Sequence, residues 1–191
     1  MKLKDVSHIH SGYISRRKIE SSADGSHYLF QAKDVDGDYI SLKADDLSRF
    51  HPTLSRNDLC LQKGDLLFMA RGAHNFTILL GELPEPTVAA ACFFIVRIYH
   101  PQVFPGYLCW YLNQAPVERY LVQYSGRGVH MPVVRRAVLE NIQVPLPAMA
   151  TQRKIADMNT LMLKEMDLLQ QLGKKRRELI AAACLQVARD R

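Results

Sequence analysis

The chain has 191 residues, 48% of them apolar and 23% charged, with a formal net charge of +6. That length supports one hydrophobic core with an appendage, and that composition excludes a generally disordered chain. No run of eighteen apolar residues occurs, and the opening MKLKDVSHIH has no apolar signal core after its lysines, so the expectation is a cytoplasmic protein without membrane contact.

In chain order, KLKDVSHIHSGY reads as a short strand or helical turn that closes on Gly12. Arg16, Arg17 and Lys18 open a polar stretch that runs to His27. HYLFQAKDVDGDYISL carries an apolar run, an Asp-Gly turn and a second β-rich run, which is the pattern of a hairpin. Residues 43–57 are polar and irregular. In LCLQKGDLLFMARG, Lys63-Gly64-Asp65 is a turn, and Leu66 to Ala70 is a buried strand ending at Arg71-Gly72. TILLGEL is another short strand, and Pro84 and Pro86 break the chain after it. AAACFFIVRI, from Ala89 to Ile98, reads as the most apolar strand, and a run apolar at nearly every position predicts burial on both faces.

From Pro105 the period changes. PGYLCWYLNQAPVERYLVQY reads as two short helices, with Pro116 ending the first and fitting the first turn of the second. SGRGVH is a glycine-punctuated loop, and PVVRRAVLEN is a brief helix started by Pro132. IQVPLP is the last strand, confined to an edge or an end by Pro145 and Pro147. The fold class is therefore α+β: a small, mixed, β-rich domain over residues 1–150, followed by one long helix over 151–191.

That helix has Thr151 as its expected N-cap, and it contains no proline and a single glycine, Gly173. Ile155, Met162 and Leu169 fall at heptad position a, and Met158, Leu172 and Leu179 at d. Glu165 interrupts this seam at d and Arg176 at a. A stripe of Leu and Met this long needs cover. Either the helix folds back near Gly173-Lys174-Lys175, or a partner helix supplies the cover. The basic run from Lys174 to Arg177 fits a phosphate backbone or an ordinary solvated turn.

The charge surplus is concentrated there. From Gln152 onward nine Lys/Arg stand against five Asp/Glu, and in the first 151 residues sixteen stand against fourteen. A nucleic-acid partner is permitted, and the globular part would need a local patch to hold one. Cys60, Cys92, Cys109 and Cys184 have no metal-site spacing and read as buried thiols. No catalytic or phosphate-loop motif is present. Asp34-Val35-Asp36-Gly37-Asp38 fails as a calcium loop, because Tyr39 stands where the sixth-position glycine is needed. The reading is non-enzymatic, with no cofactor and no metal.

Three segments in fixed order carry a resemblance: GDLLFMARG, then AAACFFIVRI with YLCWYLN, then IQVPLPAMATQRKI running into the long helix. This arrangement resembles the target-recognition domain of the DNA specificity subunits of type I restriction-modification systems, over nearly the whole chain. Thr151 departs from the glutamate usual before Gln152, and the chain holds one domain and one helix where that family's subunit has two of each. The resemblance implies a half-subunit, either a natural one that pairs with itself or a piece of a longer protein. It implies a module that reads half of a split site in double-stranded DNA. DNA methyltransferase subunits and a restriction subunit would be its partners and would carry the catalysis. A homodimer would form through the C-terminal helix, by Ile155, Met158, Met162, Leu169, Leu172 and Leu179. The alternative is a structural adaptor whose helix docks a partner and whose domain binds no DNA.

Base edges and phosphates are held chiefly by Arg, Lys, Asn, Gln and backbone amides, and loops are the natural carriers. The first candidate is the loop Ser125-Gly126-Arg127-Gly128-Val129-His130. It resembles the family's recognition loop, though a solvated arginine at a helix end is the plainer reading of Arg127. Arg71, His74 and Asn75 follow at the end of the Gly-Asp strand, where Arg71 fits equally an ion pair of structure. Gln31 and Lys33 beside the hairpin, and Arg135 with Arg136 on the short helix, complete the set. Arg16, Arg17 and Lys18 fit either phosphate contact or plain surface charge.

Overall fold

The computed structural model describes residues 1–15, 18–35, 47–53, 59–72, 74–124 and 133–189. They divide into two compact units, Met1–Ala156 and Asp157–Arg191.

Seven strands are described: β1 (Ser7–Ser11), β2 (His27–Phe30), β3 (Ser48–Phe50), β4 (Leu66–Met69), β5 (Thr77–Leu79), β6 (Thr87–Ala89) and β7 (Phe93–Ile98). The helices are α1 (Pro105–Leu112), α2 (Ala115–Tyr124), α3 (Arg136–Glu140) and α4 (Met149–Arg189). The architecture is α+β. Four strands form an antiparallel sheet in the order β1-β7-β4-β5, and three form a smaller mixed sheet in the order β3-β2-β6.

The larger sheet is buried on both faces, and alternation decides which side chain goes where. Leu66 and Phe68 of β4 and Val96 of β7 join Leu108, Leu112, Val117, Leu121 and Leu139 from the helices. Their neighbours Leu67, Met69, Phe93 and Ile95 point the other way, into a second cluster with Phe30 of the small sheet, Leu80 and Ala89. Each such side chain contributes about 1.5–3 kcal/mol when removed fully from water. All four residues of β4 are buried, as an unbroken apolar run predicts.

The structure corrects three local expectations and leaves a fourth, the hairpin at Asp36-Gly37, outside the described residues. AAACFFIVRI is not one strand: Ala89 ends β6 of the smaller sheet, and β7 begins at Phe93, after a turn in which Phe93 donates to the carbonyl of Ala90 at 3.0 Å. Hydrophobicity records burial, and this run is buried on either side of the turn. IQVPLP forms no strand. Its segment exchanges backbone hydrogen bonds with the chain start, Leu3 to Ile142 at 2.9 Å and Val144 to Met1 at 2.7 Å, before the amide-less prolines end the pairing. The Asp36-Gly37 turn and the run after it lie outside the described residues, and β2 finds its antiparallel partner in β3. Cys184 is exposed and the other three cysteines are half-buried, because the alanine-rich turn around Cys184 meets no other described segment.

Gly12 carries the chain from one sheet to the other. Its amide bonds to Phe93 at 3.0 Å, and the amide of Tyr13 bonds to Ala89 at 2.7 Å. A β-carbon at Gly12 would stand 2.2 Å from the carbonyl oxygen of Ala90, so no larger residue fits. Gly64 has φ +90° and turns the chain into β4. The next residue, Asp65, is fully engaged with β7. Arg97 donates through Nε to Oδ1 at 2.8 Å and through Nη2 to Oδ2 at 2.7 Å. Asn113, at the end of α1, holds the outer edge of β5. It accepts from the amide of Thr77 at 2.7 Å and donates to the carbonyl of Thr77 at 2.8 Å. An edge so occupied cannot pair with another strand.

α4 begins at Met149, two residues ahead of Thr151, and it buries Gln152 and Ala156. Ala156 packs on Gly106 of α1, where an added β-carbon would stand 3.1 Å from it. Beyond Asp157 the helix is exposed along nearly all of its described length.

Candidate nucleic-acid interface

Segments scattered in sequence meet at one end of the larger sheet, around the turn at Ala90–Cys92. On one side the amide of Ala90 donates to the carbonyl of Phe30 at 2.8 Å, which fixes the short 3-10 turn at Ala32–Asp34. Asp34 is buried there and accepts from the amide of Gln31 at 2.8 Å. On the other side Ala70 and Arg71 both donate to the carbonyl of Cys92, at 2.8 and 3.2 Å. Past Arg71, the amide of Val134 donates to the carbonyl of Ala70 at 2.9 Å, and Val133 pairs with Arg71 as an isolated bridge. The end of β4 thus anchors the segment that follows residues 125–132.

Cys92 registers this meeting electrostatically. Burial pushes its thiol up, and backbone hydrogen bonds, one of them from Ala32, with the charge of Arg71, offset part of that rise.

The candidate residues fall into three groups. Arg71, His74, Lys33 and Arg135 are exposed, and Arg71 has no ion pair among the described residues. Nothing described therefore ties Arg71 into the ion pair that was the alternative account of it. Asn75, Lys33 and Arg136 have structural contacts. Asn75 Nδ2 donates to the carbonyl of Met69 at 2.8 Å, which closes the turn between β4 and β5. Lys33 reaches Ser48 at 3.2 Å, and Arg136 pairs with Glu140 at 2.7 Å along α3. Gln31 is half-buried beside them. Ser125, Gly126, Arg127, Gly128, Val129 and His130, with Arg16 and Arg17, lie outside the described residues.

One part of this region held only Arg136 from the predicted site set. His10 to Ile14, with Leu59 and Arg136, line a hollow of about 360 Å³. Gly12 was visible in the sequence only as a chain punctuation, and nothing in its local pattern says that it is a crossing point between sheets. A second, more polar hollow of about 550 Å³ has Tyr13 and Phe50 in its lining with Lys18, Glu20, Ser22, His51 and Thr53. Nearby, the hydroxyl of Ser22 and then the backbone and His51 hold the carboxyl of Asp24 below its usual range. No group of three or more metal-ligating side chains occurs among the described residues.

Of the proposed pairing residues, Ile155 is half-buried, while Met158, Met162, Leu169, Leu172 and Leu179 are exposed.

The architecture is thus an α+β domain with a candidate basic end and a long helix. No protein-family model and no curated protein matches the chain. Solved structures do match its fold. The S subunit of a type I restriction-modification system from M. genitalium superposes with a TM-score of 0.57 at 11% identity, over 93% of this chain and 42% of that one. A chain of a type I R-M system studied for complex assembly and conformational transition gives 0.62 at 18% identity, over 90% and 39%. The HsdS subunit from Thermoanaerobacter tengcongensis gives 0.56 at 17%, over 87% and 39%. In fold, this chain corresponds to a stretch of a type I S subunit, spanning about two-fifths of the length of each of these chains.

Proposed function

We propose that the chain is a non-catalytic, sequence-reading DNA module of the type I restriction-modification kind, working in the cytoplasm. It reads one half of a split site in double-stranded DNA. Methyltransferase subunits, and a restriction subunit where one is present, supply the chemistry. A second copy, paired through α4, supplies the second reading domain, which makes the target a two-fold symmetric split site.

The observation that carries this reading is the convergence at Ala90–Cys92. Arg71 is exposed there, its backbone bridges to Val133, and the Gly-Arg-Gly loop at 126–128 lies a few residues before that bridge in sequence. An exposed arginine can reach a guanine edge, and a Gly-Arg-Gly segment lets a backbone approach phosphate. The fold shared with S subunits supports the same reading. Titrating the full chain with duplex DNA at increasing salt tests it. Affinity should fall linearly on a log–log plot, with a slope set by the phosphates contacted. Absence of any salt-dependent duplex binding, alone or with a methyltransferase subunit, would transfer support to the adaptor reading.

A further inference from the structure

We infer that the polar hollow beside Tyr13 is a phosphate seat, which holds one sugar-phosphate unit of the duplex backbone. This rests on the DNA reading above and adds to it a contact without base preference.

The hollow of about 550 Å³ has fixed walls, one from the chain after Gly12 and one from the end of β3. The amide of Tyr13 donates to the carbonyl of Ala89 at 2.7 Å, and that of Ser22 to the carbonyl of Arg49 at 2.9 Å. The amide of Thr53 donates to the hydroxyl oxygen of Tyr13 at 2.9 Å, which ties one wall to the other. The ring of Tyr13 packs edge-on against Phe50, with centroids 5.3 Å apart. At Gly25 an added β-carbon would stand 2.3 Å from the amide nitrogen of Phe50, so the turn after Ser22 lies flat on β3. Walls so fixed lose little freedom when a ligand enters.

The chemistry of the hollow suits a ligand that only accepts hydrogen bonds. Tyr13 is 7% exposed, and its hydroxyl hydrogen has no acceptor among the described residues. A buried hydroxyl that already accepts calls for an acceptor of its own. Lys18, His51 and the hydroxyls of Ser21 and Thr53 supply further donors in the same lining. Ammonium and hydroxyl groups are the usual holders of backbone phosphate. The carboxylate of Asp24 stands outside the lining, 3.7 Å from Nε2 of His51, where it balances a protonated imidazole. Glu20 is the one carboxylate of the lining, and it is exposed. Its charge opposes a free anion, so the seat depends on the duplex to present the phosphate. Tyr13 also pairs with Ala90 as a parallel bridge, which puts the seat beside the turn where the candidate interface converges.

Fluorescence anisotropy of the full chain on cognate and non-cognate duplexes, over a salt series, tests the inference. Lys18 and Glu20 are exposed, so Lys18→Gln and Glu20→Gln should melt as the parent does. Lys18→Gln should weaken both duplexes alike by about fivefold and make the log–log salt slope shallower by about one. Glu20→Gln should tighten both duplexes. Tyr13→Phe keeps the ring and should weaken both without changing the slope. Inorganic phosphate, titrated into isotope-labelled chain, should shift the amide resonance of Thr53 only at millimolar concentration. Saturation at micromolar phosphate would make a free phosphate the occupant and overturn the backbone assignment. Unchanged affinity and slope in Lys18→Gln, with Glu20→Gln silent, would overturn the seat. If Arg71→Ala still weakens cognate binding in that case, the recognition proposal stands without the seat. A parent chain that binds no duplex removes both.

Discussion

Gln152 and Phe104 are joined by a hydrogen bond of 2.9 Å, from the backbone amide of Phe104 to the side-chain oxygen of Gln152. The same side chain donates twice through Nε2, to the carbonyls of Gln102 and Pro147, each at 2.8 Å. The residue is 1% exposed, and each hydrogen of its amide has a partner. Phe104 precedes the first residue of α1, so one side chain ties the start of α1, the loop before it and the proline segment before α4. Leaving the globular domain is thus a built joint. The prolines end the pairing with the chain start, and Gln152 fastens the first turn of the departing helix.

Gln152→Ala should therefore cost about 2–4 kcal/mol of stability, because three backbone groups lose their partner in a buried place. Gln152→Glu keeps the acceptor and loses both donors while burying a charge, so it should cost at least as much. Urea denaturation followed by circular dichroism measures both. A loss below about 0.5 kcal/mol would mean that water replaces the side chain at no cost.

The pair of Asp65 and Arg97 gives a second stability prediction. The side chain of Asp65 is 3% exposed and that of Arg97 24%. Asp65 also accepts from the amide of Gln62 at 2.9 Å, and Arg97 donates to the carbonyl of Cys60 at 2.9 Å. Asp65→Ala should destabilise by about 3 kcal/mol by taking the carboxylate away from a partly buried guanidinium. A double variant with both groups replaced by apolar residues should be less destabilised than Asp65→Ala alone. Equilibrium denaturation of the two variants decides this.

For recognition, Arg127→Ala should weaken binding of the cognate duplex by about 1–3 kcal/mol, and non-cognate duplex by less. Equal losses on both sequences would make Arg127 a phosphate contact. Arg71→Ala should weaken cognate binding while leaving the melting temperature unchanged, since its described contacts are made by its backbone. Fluorescence anisotropy on matched duplexes, with a thermal melt of each variant, separates these outcomes.

The four thiols should react in a defined order. Cys184 is exposed, whereas burial pushes the Cys109 thiol up to about 12. The thiolate is the reactive form, so at pH 7.5 only about one Cys109 in 30,000 is ionised. Alkylation should take Cys184 first and Cys109 last. At pH 9 Cys109 should still be the slowest, since it remains almost wholly protonated there. Mass-resolved alkylation at the two pH values checks this, and fast labelling of Cys109 in the native protein would contradict the buried geometry.

Several of these features can be read without coordinates. GDLLFMARG declares a buried strand because Leu66 to Ala70 are all apolar, and β4 has a cluster on each face. Pro105 and Pro116 mark helix starts because a fixed φ and a missing amide suit a first turn. The long helix follows from its heptad pattern and lack of proline, and so does the pair of charges that interrupts its seam. Other features escape such reading. The run AAACFFIVRI has the same composition whether it is one strand or two, and only the partners of Thr87–Ala89 and Phe93–Ile98 divide it. The sequence-based site set contained Arg71, yet the turn at Ala90–Cys92, where the carbonyl of Cys92 accepts from its amide, offered only two alanine side chains and a thiol to draw notice.

By itself, then, the sequence determined the α+β class, the prolines that mark where the chain leaves the domain, and the seam of α4. These are local matters, set by periodicity, by proline's missing amide and by charge at fixed spacing. Tertiary structure alone decided that Gly12 is a crossing between two sheets, that Asp65 is clamped by Arg97, and that Arg71 is anchored to Val133. Each of those depends on backbone groups brought together across many residues, and hydrogen bonds between distant carbonyls and amides leave no trace in the identity of the side chains they join.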